Sequence, residues 1–131
     1  KATNFASGIF RNKDNKQFNF TPFKNTAQLS SINKILIEDF DDDGNKDLVL
    51  LGNLYASEVE TPRNDASYGH FMKGNGEGNF KVMPAHESGL YVKGDVKDAA
   101  VIYIGAKEKN NKSLLIAKNN DFLQLINTNV K

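Results

Sequence analysis

Apolar residues in this chain come in short bursts separated by turn-forming residues, and no burst carries a helical stripe. Alternation, as in "QFNFTPF", marks a half-exposed strand, whereas the continuous runs "DLVLL" and "VIYI" mark strands buried on both faces. The pattern predicts strands at 5–10, 18–23, 35–40, 47–51, 68–72, 80–83, 90–92, 100–104, 114–117 and 122–126. Many short strands at roughly regular spacing predict an all-β fold of the sandwich, barrel or propeller kind. The turns are equally legible. "KGNGEGNF" has glycine at alternate positions, which suits a tight hairpin with positive φ angles; "RNKDNKQF" has the same length and the same final Phe, and "KNNDF" is a shorter version. The stretch 55–67, "YASEVETPRNDAS", has no such pattern and reads as a surface loop, the best candidate for a variable contact surface.

The pattern also repeats. "F-RNKDNKQ-F" from Phe10 resembles "M-KGNGEGN-F" from Met72, 62 residues later. Each is followed by a strand ending near an aspartate, Asp39 in "LIEDF" and Asp95 in "VKGDV", and then by an apolar strand closing on a glycine, Gly52 and Gly105. A period of this length with several strands per copy suggests β-propeller blades. The predicted architecture is antiparallel short strands in about two to three blade-like sheets, with a small β-sandwich as the alternative. The expected divisions are a partial first blade at 1–34, a second at 35–89 and a final one at 90–131.

Composition narrows the function. The 131 residues fit one domain or a piece of a larger one. Lys and Arg are spread along the chain and the net charge is +1, so no basic block marks a nucleic-acid or membrane surface. There is no apolar run long enough to span a bilayer as a helix and no visible signal peptide. The chain opens on Lys1 rather than Met, as expected of a mature or trimmed product. With no Cys, disulfide and thiolate–zinc readings fall away.

Charge is densest in "EDFDDDGNKDLVLLGN". Asp39, Asp41, Asp43, Asn45 and Asp47 stand at positions 1, 3, 5, 7 and 9 of one loop, with Gly44 at position 6. Calcium takes six to eight oxygens, and a loop curled around the ion can offer side chains from alternate positions, with a backbone carbonyl at position 7. Glycine allows the sharp turn. Such closely spaced carboxylates repel one another unless a cation compensates them. An EF-hand would need a Glu at position 12, where Leu50 stands, and flanking helices, where strands are predicted. Asp42 is expected to point outward, and Glu38 to lie outside the cage on a strand surface.

At these residues the sequence resembles the FG-GAP/VCBS repeat family, whose blades carry a D-x-D-x-D-G-x-x-D calcium loop between two strands. "DFDDDGNKD" is complete at every fixed position, "LVLLGN" is similar to the family's hydrophobic strand and closing glycine, and "KGNGEGNF" to its hairpin turn. "RNDASYG", "SGLYVKGDVKDAAVIYI" and "LLIAKNNDFLQLI" resemble the C-terminal end of bacterial proteins of this type, so that the likeness covers about 5–126. The resemblance implies bound Ca2+ and a propeller segment belonging to an exported protein, at the cell surface, extracellular or periplasmic. It implies a scaffold or binding module for protein or glycan, or else a non-catalytic part of a larger surface enzyme or transport complex. A partial ring would expose unpaired strand edges. The remainder of a parent propeller, or another chain, is therefore an expected partner. "GDVKDAAV" carries Asp95 and Asp98 without the full motif, so no metal is expected there.

Catalysis is not expected. No Ser sits in a G-x-S-x-G context, and "KGNGEGNF" is followed by no strand-to-helix unit that would cradle phosphate. His70, in a strand, and His86, in a Pro-containing loop, lack a second His or a Cys at ligand spacing. Phe18, Phe20, Phe23, Tyr55, Tyr68 and Tyr91 could form a stacking surface for sugar or peptide, but core or sheet-face packing accounts for most of them.

Overall fold

The short-strand pattern produces nine strands in three antiparallel sheets in the computed structural model, which describes residues 1–14, 16–105 and 111–128. Strands β1 (Gly8–Lys13) and β2 (Gln17–Pro22) form a hairpin; β3 (Ile32–Glu38), β4 (Asp47–Gly52), β5 (His70–Gly74) and β6 (Phe80–Met83) form a four-stranded meander; β7 (Val96–Ile104), β8 (Asn111–Lys118) and β9 (Gln124–Asn127) form a three-stranded one. The fold is all-β and antiparallel. Among the described residues the sheets stack and close neither a barrel nor a ring, an arrangement compatible with the sandwich alternative.

The four-stranded sheet is the middle layer. All of β4 is buried, as the unbroken run "DLVLLG" demands. One face, through Leu36, Val49, Leu51 and Phe71, packs against Val96, Ala99, Leu114 and Ile116 of the three-stranded sheet. The other face, through Leu48, Leu50 and Met72, packs against Ala27 and against Ile9 and Phe23 of the hairpin region. Burying apolar area is worth roughly 25 cal/mol per Å², so a strand apolar on both faces is stable only between two layers.

Several strand assignments need correction; β3, β5, β8 and β9 have ends displaced by two or three residues, and three other segments differ for identifiable reasons. Segment 90–92 forms no strand, although Leu90 and Val92 are buried. Its alternation reflects a connection crossing the core, held by the Val92 N–H to Tyr68 carbonyl bond of 2.8 Å and by the Gln124 amide donating to the Tyr91 carbonyl at 3.0 Å, before Gly94 turns the chain at φ 120°. Strand β1 runs three residues beyond its predicted end, into the polar stretch Arg11–Lys13, because cross-strand pairing to Gln17–Asn19 continues there. Strand β7 begins at Val96 rather than 100, since Lys97 and Asp98 are outward-facing strand residues. His86 lies in a four-residue helix, α1 (Ala85–Ser88), between Pro84 and the left-handed Gly89, instead of in a loop.

The internal repeat is present in the hydrogen-bond register. Phe10 faces Phe20 and Asn12 faces Phe18 in the hairpin; 62 residues on, Met72 faces Val82 and Gly74 faces Phe80. β1–β2 therefore corresponds to β5–β6. The second correspondence differs from the sequence-based one. Both β3 and β7 carry a register shift at their start, after Ile32 and Val96, and the Asn53 N–H to Ser31 carbonyl bond has its counterpart in Asn119 to Asp95. Asp95 thus matches Ser31, not Asp39. The counterpart of the aspartate loop is the β7–β8 connection, of which 106–110 lies outside the described residues.

Candidate metal centre

The aspartate loop joins β3 to β4, and its backbone folds around its own carboxylates. Asp39 accepts the Asp43 N–H at 3.1 Å and the Gly44 N–H at 2.9 Å, one on each oxygen. Asp41 accepts the Asp43 N–H at 3.3 Å, and Asp43 accepts the Asn45 N–H at 2.8 Å. The loop closes through two positive φ angles, 58° at Asp42 and 88° at Gly44. A left-handed residue costs an L side chain roughly 1–2 kcal/mol and glycine almost nothing.

Three of the five sequence-predicted ligands converge. Carboxylate oxygens of Asp39, Asp41 and Asp43 lie within 4.8 Å of one another and could hold a metal ion. Asp47 is placed differently. It is fully buried at the first residue of β4, and its two oxygens accept N–H groups of Phe40 (3.0 Å) and Gly74 (2.9 Å). The Asn45 side-chain oxygen is turned toward the β5–β6 turn: it lies 2.4 Å from where a Cβ on Gly76 would be. Asp47 thus ties the loop to the next hairpin, and Asn45 lies against that hairpin's turn.

The chemistry of the donor set fits a hard divalent cation: it is all oxygen, with no imidazole or thiolate. A stand-in cation supports the same reading. The Lys73 ammonium, reaching across from β5, is bonded to the Asp41 carboxylate and lies 2.9 Å from Asp43 Oδ2. Lys112 on β8 donates to the Asp39 carbonyl and to the Asp42 carboxylate, so Asp42 points outward, as expected, but is ion-paired. Glu38 lies outside the cage and supports it, accepting the Asp39 N–H at 3.0 Å and pairing with Lys46 at 2.8 Å. The three converging carboxylates, Asp39, Asp41 and Asp43, have the single Lys73 ammonium among them, which leaves two formal negative charges for a cation to offset.

The second aspartate region is built otherwise. Asp95 is buried and pairs with Lys97 at 2.8 Å, and Asp98 pairs with Lys34 at 2.6 Å. His70 is half-buried and held below its ordinary pKa by burial; His86 is exposed on α1 beside Glu87. Tyr68 and Tyr91 stack on each other at 4.8 Å, and Arg63 covers the Tyr55 ring.

Sequence reasoning missed Asn53 and Asn33. Buried Asn53, at φ 83°, donates to the Ser67 (2.7 Å) and Gly94 (3.0 Å) carbonyls and accepts from the Ser67 N–H and the Ser30 hydroxyl. Asn33 donates to the Asn53 and Val96 carbonyls, both at 2.8 Å. Together they satisfy backbone carbonyls where the middle sheet meets the 54–69 connection and β7. The signal was a polar residue directly after the apolar run "LVLLG".

These charges set an acid response. The Lys73 ammonium holds Asp43 below the usual carboxylate range; Lys46 does the same for Glu38, Lys34 for Asp98 and Lys118 for Asp121. Burial acts to raise Asp95, but Lys97, the Tyr55 N–H and Asn119 leave it lowered overall. Asp47 goes the other way, raised by burial against its two N–H donors. A carboxylate with a depressed folded pKa contributes stability above its unfolded value and loses it as pH falls through the depressed one. Five groups act in this sense, and Asp47 acts against them. Melting followed by circular dichroism in EDTA should therefore show a falling melting temperature as pH drops below about 4. A flat profile down to about pH 3 would contradict the ion pairs.

No family model matches this chain, and neither the curated proteins nor the solved structures contain a match to it.

Proposed function

We propose that this chain is a calcium-binding repeat module of the FG-GAP/VCBS type, non-catalytic, that serves as a scaffold or binding unit for protein or glycan outside the cytoplasm. The observation that carries the reading is the convergence of Asp39, Asp41 and Asp43 within 4.8 Å on a loop closed by its own N–H groups. Those three aspartates would hold the ion, and Asp47 would fix the floor beneath them. The ion supplies charge compensation, which stabilises the strand-to-strand link instead of driving a reaction. Sites of this donor type in extracellular modules work at a Kd of about 10⁻⁴ to 10⁻³ M, which suits a compartment rich in calcium. A cleft lined by Tyr55, Asp95, Asn119 and Asp121 opens beside the 55–67 loop and offers polar groups to a ligand there.

The test is thermal. With calcium at about ten times its Kd, binding to the folded state alone adds ~1.4 kcal/mol, and the melting temperature should rise by several degrees over EDTA. The double variant Asp41→Ala, Asp43→Ala should lose that rise. An identical melting temperature in EDTA and in millimolar calcium would remove the calcium reading.

A further inference from the structure

The register of the repeat identifies an incomplete layer and what would complete it. Hairpin β1–β2 corresponds residue for residue to β5–β6 of the middle sheet. In the middle sheet β5 has a second neighbour, β4, which pairs through Leu50, Val49 and Leu48 with His70, Phe71 and Met72. The counterparts of those three β5 residues are Gly8, Ile9 and Phe10 of β1. Among the described residues, the only strand pairing with β1 is β2.

The face such a neighbour would cover is bare in the corresponding place. Ile35 and Ile37 of β3 stand opposite Leu50 and Leu48, so they share the face that the hairpin packs on. The hairpin covers only part of that face, over Leu48, Leu50 and Met72. Ile35 is left 46% and Ile37 62% exposed. By the repeat, a hairpin that continued the β1–β2 layer as β3–β4 continues β5–β6 would pair with β1 and lie over β3, whose exposed isoleucines face that layer.

We propose that this surface docks an antiparallel β-hairpin of the β3–β4 type, one strand of which adds to β1 at Gly8–Phe10 while its apolar face covers Ile35 and Ile37. Open edges recruit strands because their N–H and C=O groups are unpaired, and side-chain pockets on the adjoining face give specificity. The occupant is defined by the repeat: two strands joined by a loop, apolar on the inner face. The docking surface itself, Gly8–Phe10 with Ile35 and Ile37, carries none of the candidate metal ligands.

The probe is a synthetic peptide with the sequence of residues 31–53, added to protein carrying labelled isoleucine methyls. Saturable shifts of the Ile35 and Ile37 methyls are expected, with slowed amide exchange at Gly8 and Phe10. Ile37→Lys changes an exposed side chain and should keep the wild-type melting temperature, yet weaken peptide binding by roughly tenfold or more, since a charge would enter an apolar contact. Shifts confined to other surfaces, no shift at millimolar peptide, or equal binding by Ile37→Lys would overturn the proposal. So would sedimentation showing that these methyls are covered by self-association of the chain alone.

Discussion

Replacing Asp47 with alanine is expected to destabilise the fold by about 3–5 kcal/mol, as fully in EDTA as in calcium. By position in the motif Asp47 would be a ligand, and a pure ligand would matter only with the ion present. The structure gives it a second task. It is fully buried and accepts two N–H groups, from Phe40 in the loop and Gly74 at the end of β5. Alanine would strand both donors, at about 1–3 kcal/mol each, and leave a void under the loop. Gly74 has little room to adjust, since a Cβ there would lie 2.0 Å from the Lys46 carbonyl oxygen. Urea titration at pH 7 with EDTA measures the loss, and the melting temperature should fall by roughly 10–20 °C. Asp47→Asn should fall between the two, because its amide keeps one acceptor. Burial raises the Asp47 pKa, so its own contribution to stability weakens as pH climbs through that raised value. Asp47→Asn removes that segment of the pH profile. Wild-type stability of Asp47→Ala in EDTA would reduce Asp47 to a ligand only.

The division between legible and hidden features follows from range. Strand β6 and nearly all of β4 were readable because their signals are local, an apolar run bounded by turn residues. The hairpin correspondence at 62 residues was readable for the same reason and reappears in the register. The second correspondence misled because an aspartate, an apolar strand and a glycine recur around both Asp39 and Asp95. Only long-range pairing shows that Asp95 occupies the place of Ser31. At the metal centre, alternate spacing was enough to bring Asp39, Asp41 and Asp43 together. It could not show that Asp47 is claimed by two amides, or that Asn45 faces the Gly76 turn, because both partners lie on the next hairpin. The lysines were hidden likewise: Lys73 and Lys112 are 32 and 73 residues away from the groups they bond in the loop.

Lys73 is where that hidden part bears most on ion binding, and Lys73→Met is expected to tighten calcium binding by roughly tenfold or more. Its ammonium bonds Asp41 and Asp43, two of the three converging carboxylates, and its own pKa is raised well above the ordinary lysine value by them. A divalent ion entering among the same oxygens would have to displace it, so its affinity would be that of an exchange. Methionine keeps the length of the side chain without the charge. The same substitution should lower the melting temperature in EDTA, because the aspartates then face one another uncompensated, and widen the gap between EDTA and calcium. Calorimetric titration of both proteins separates the possibilities. Tighter binding by the variant identifies Lys73 as the competing cation, whereas weaker binding would mean that it positions Asp41 and Asp43 for the ion. Lys112→Met serves as the control. Lys112 bonds the Asp39 carbonyl and the outward Asp42 from the neighbouring sheet. Removing its charge should loosen the loop's attachment to β8 and change calcium affinity far less than Lys73→Met does.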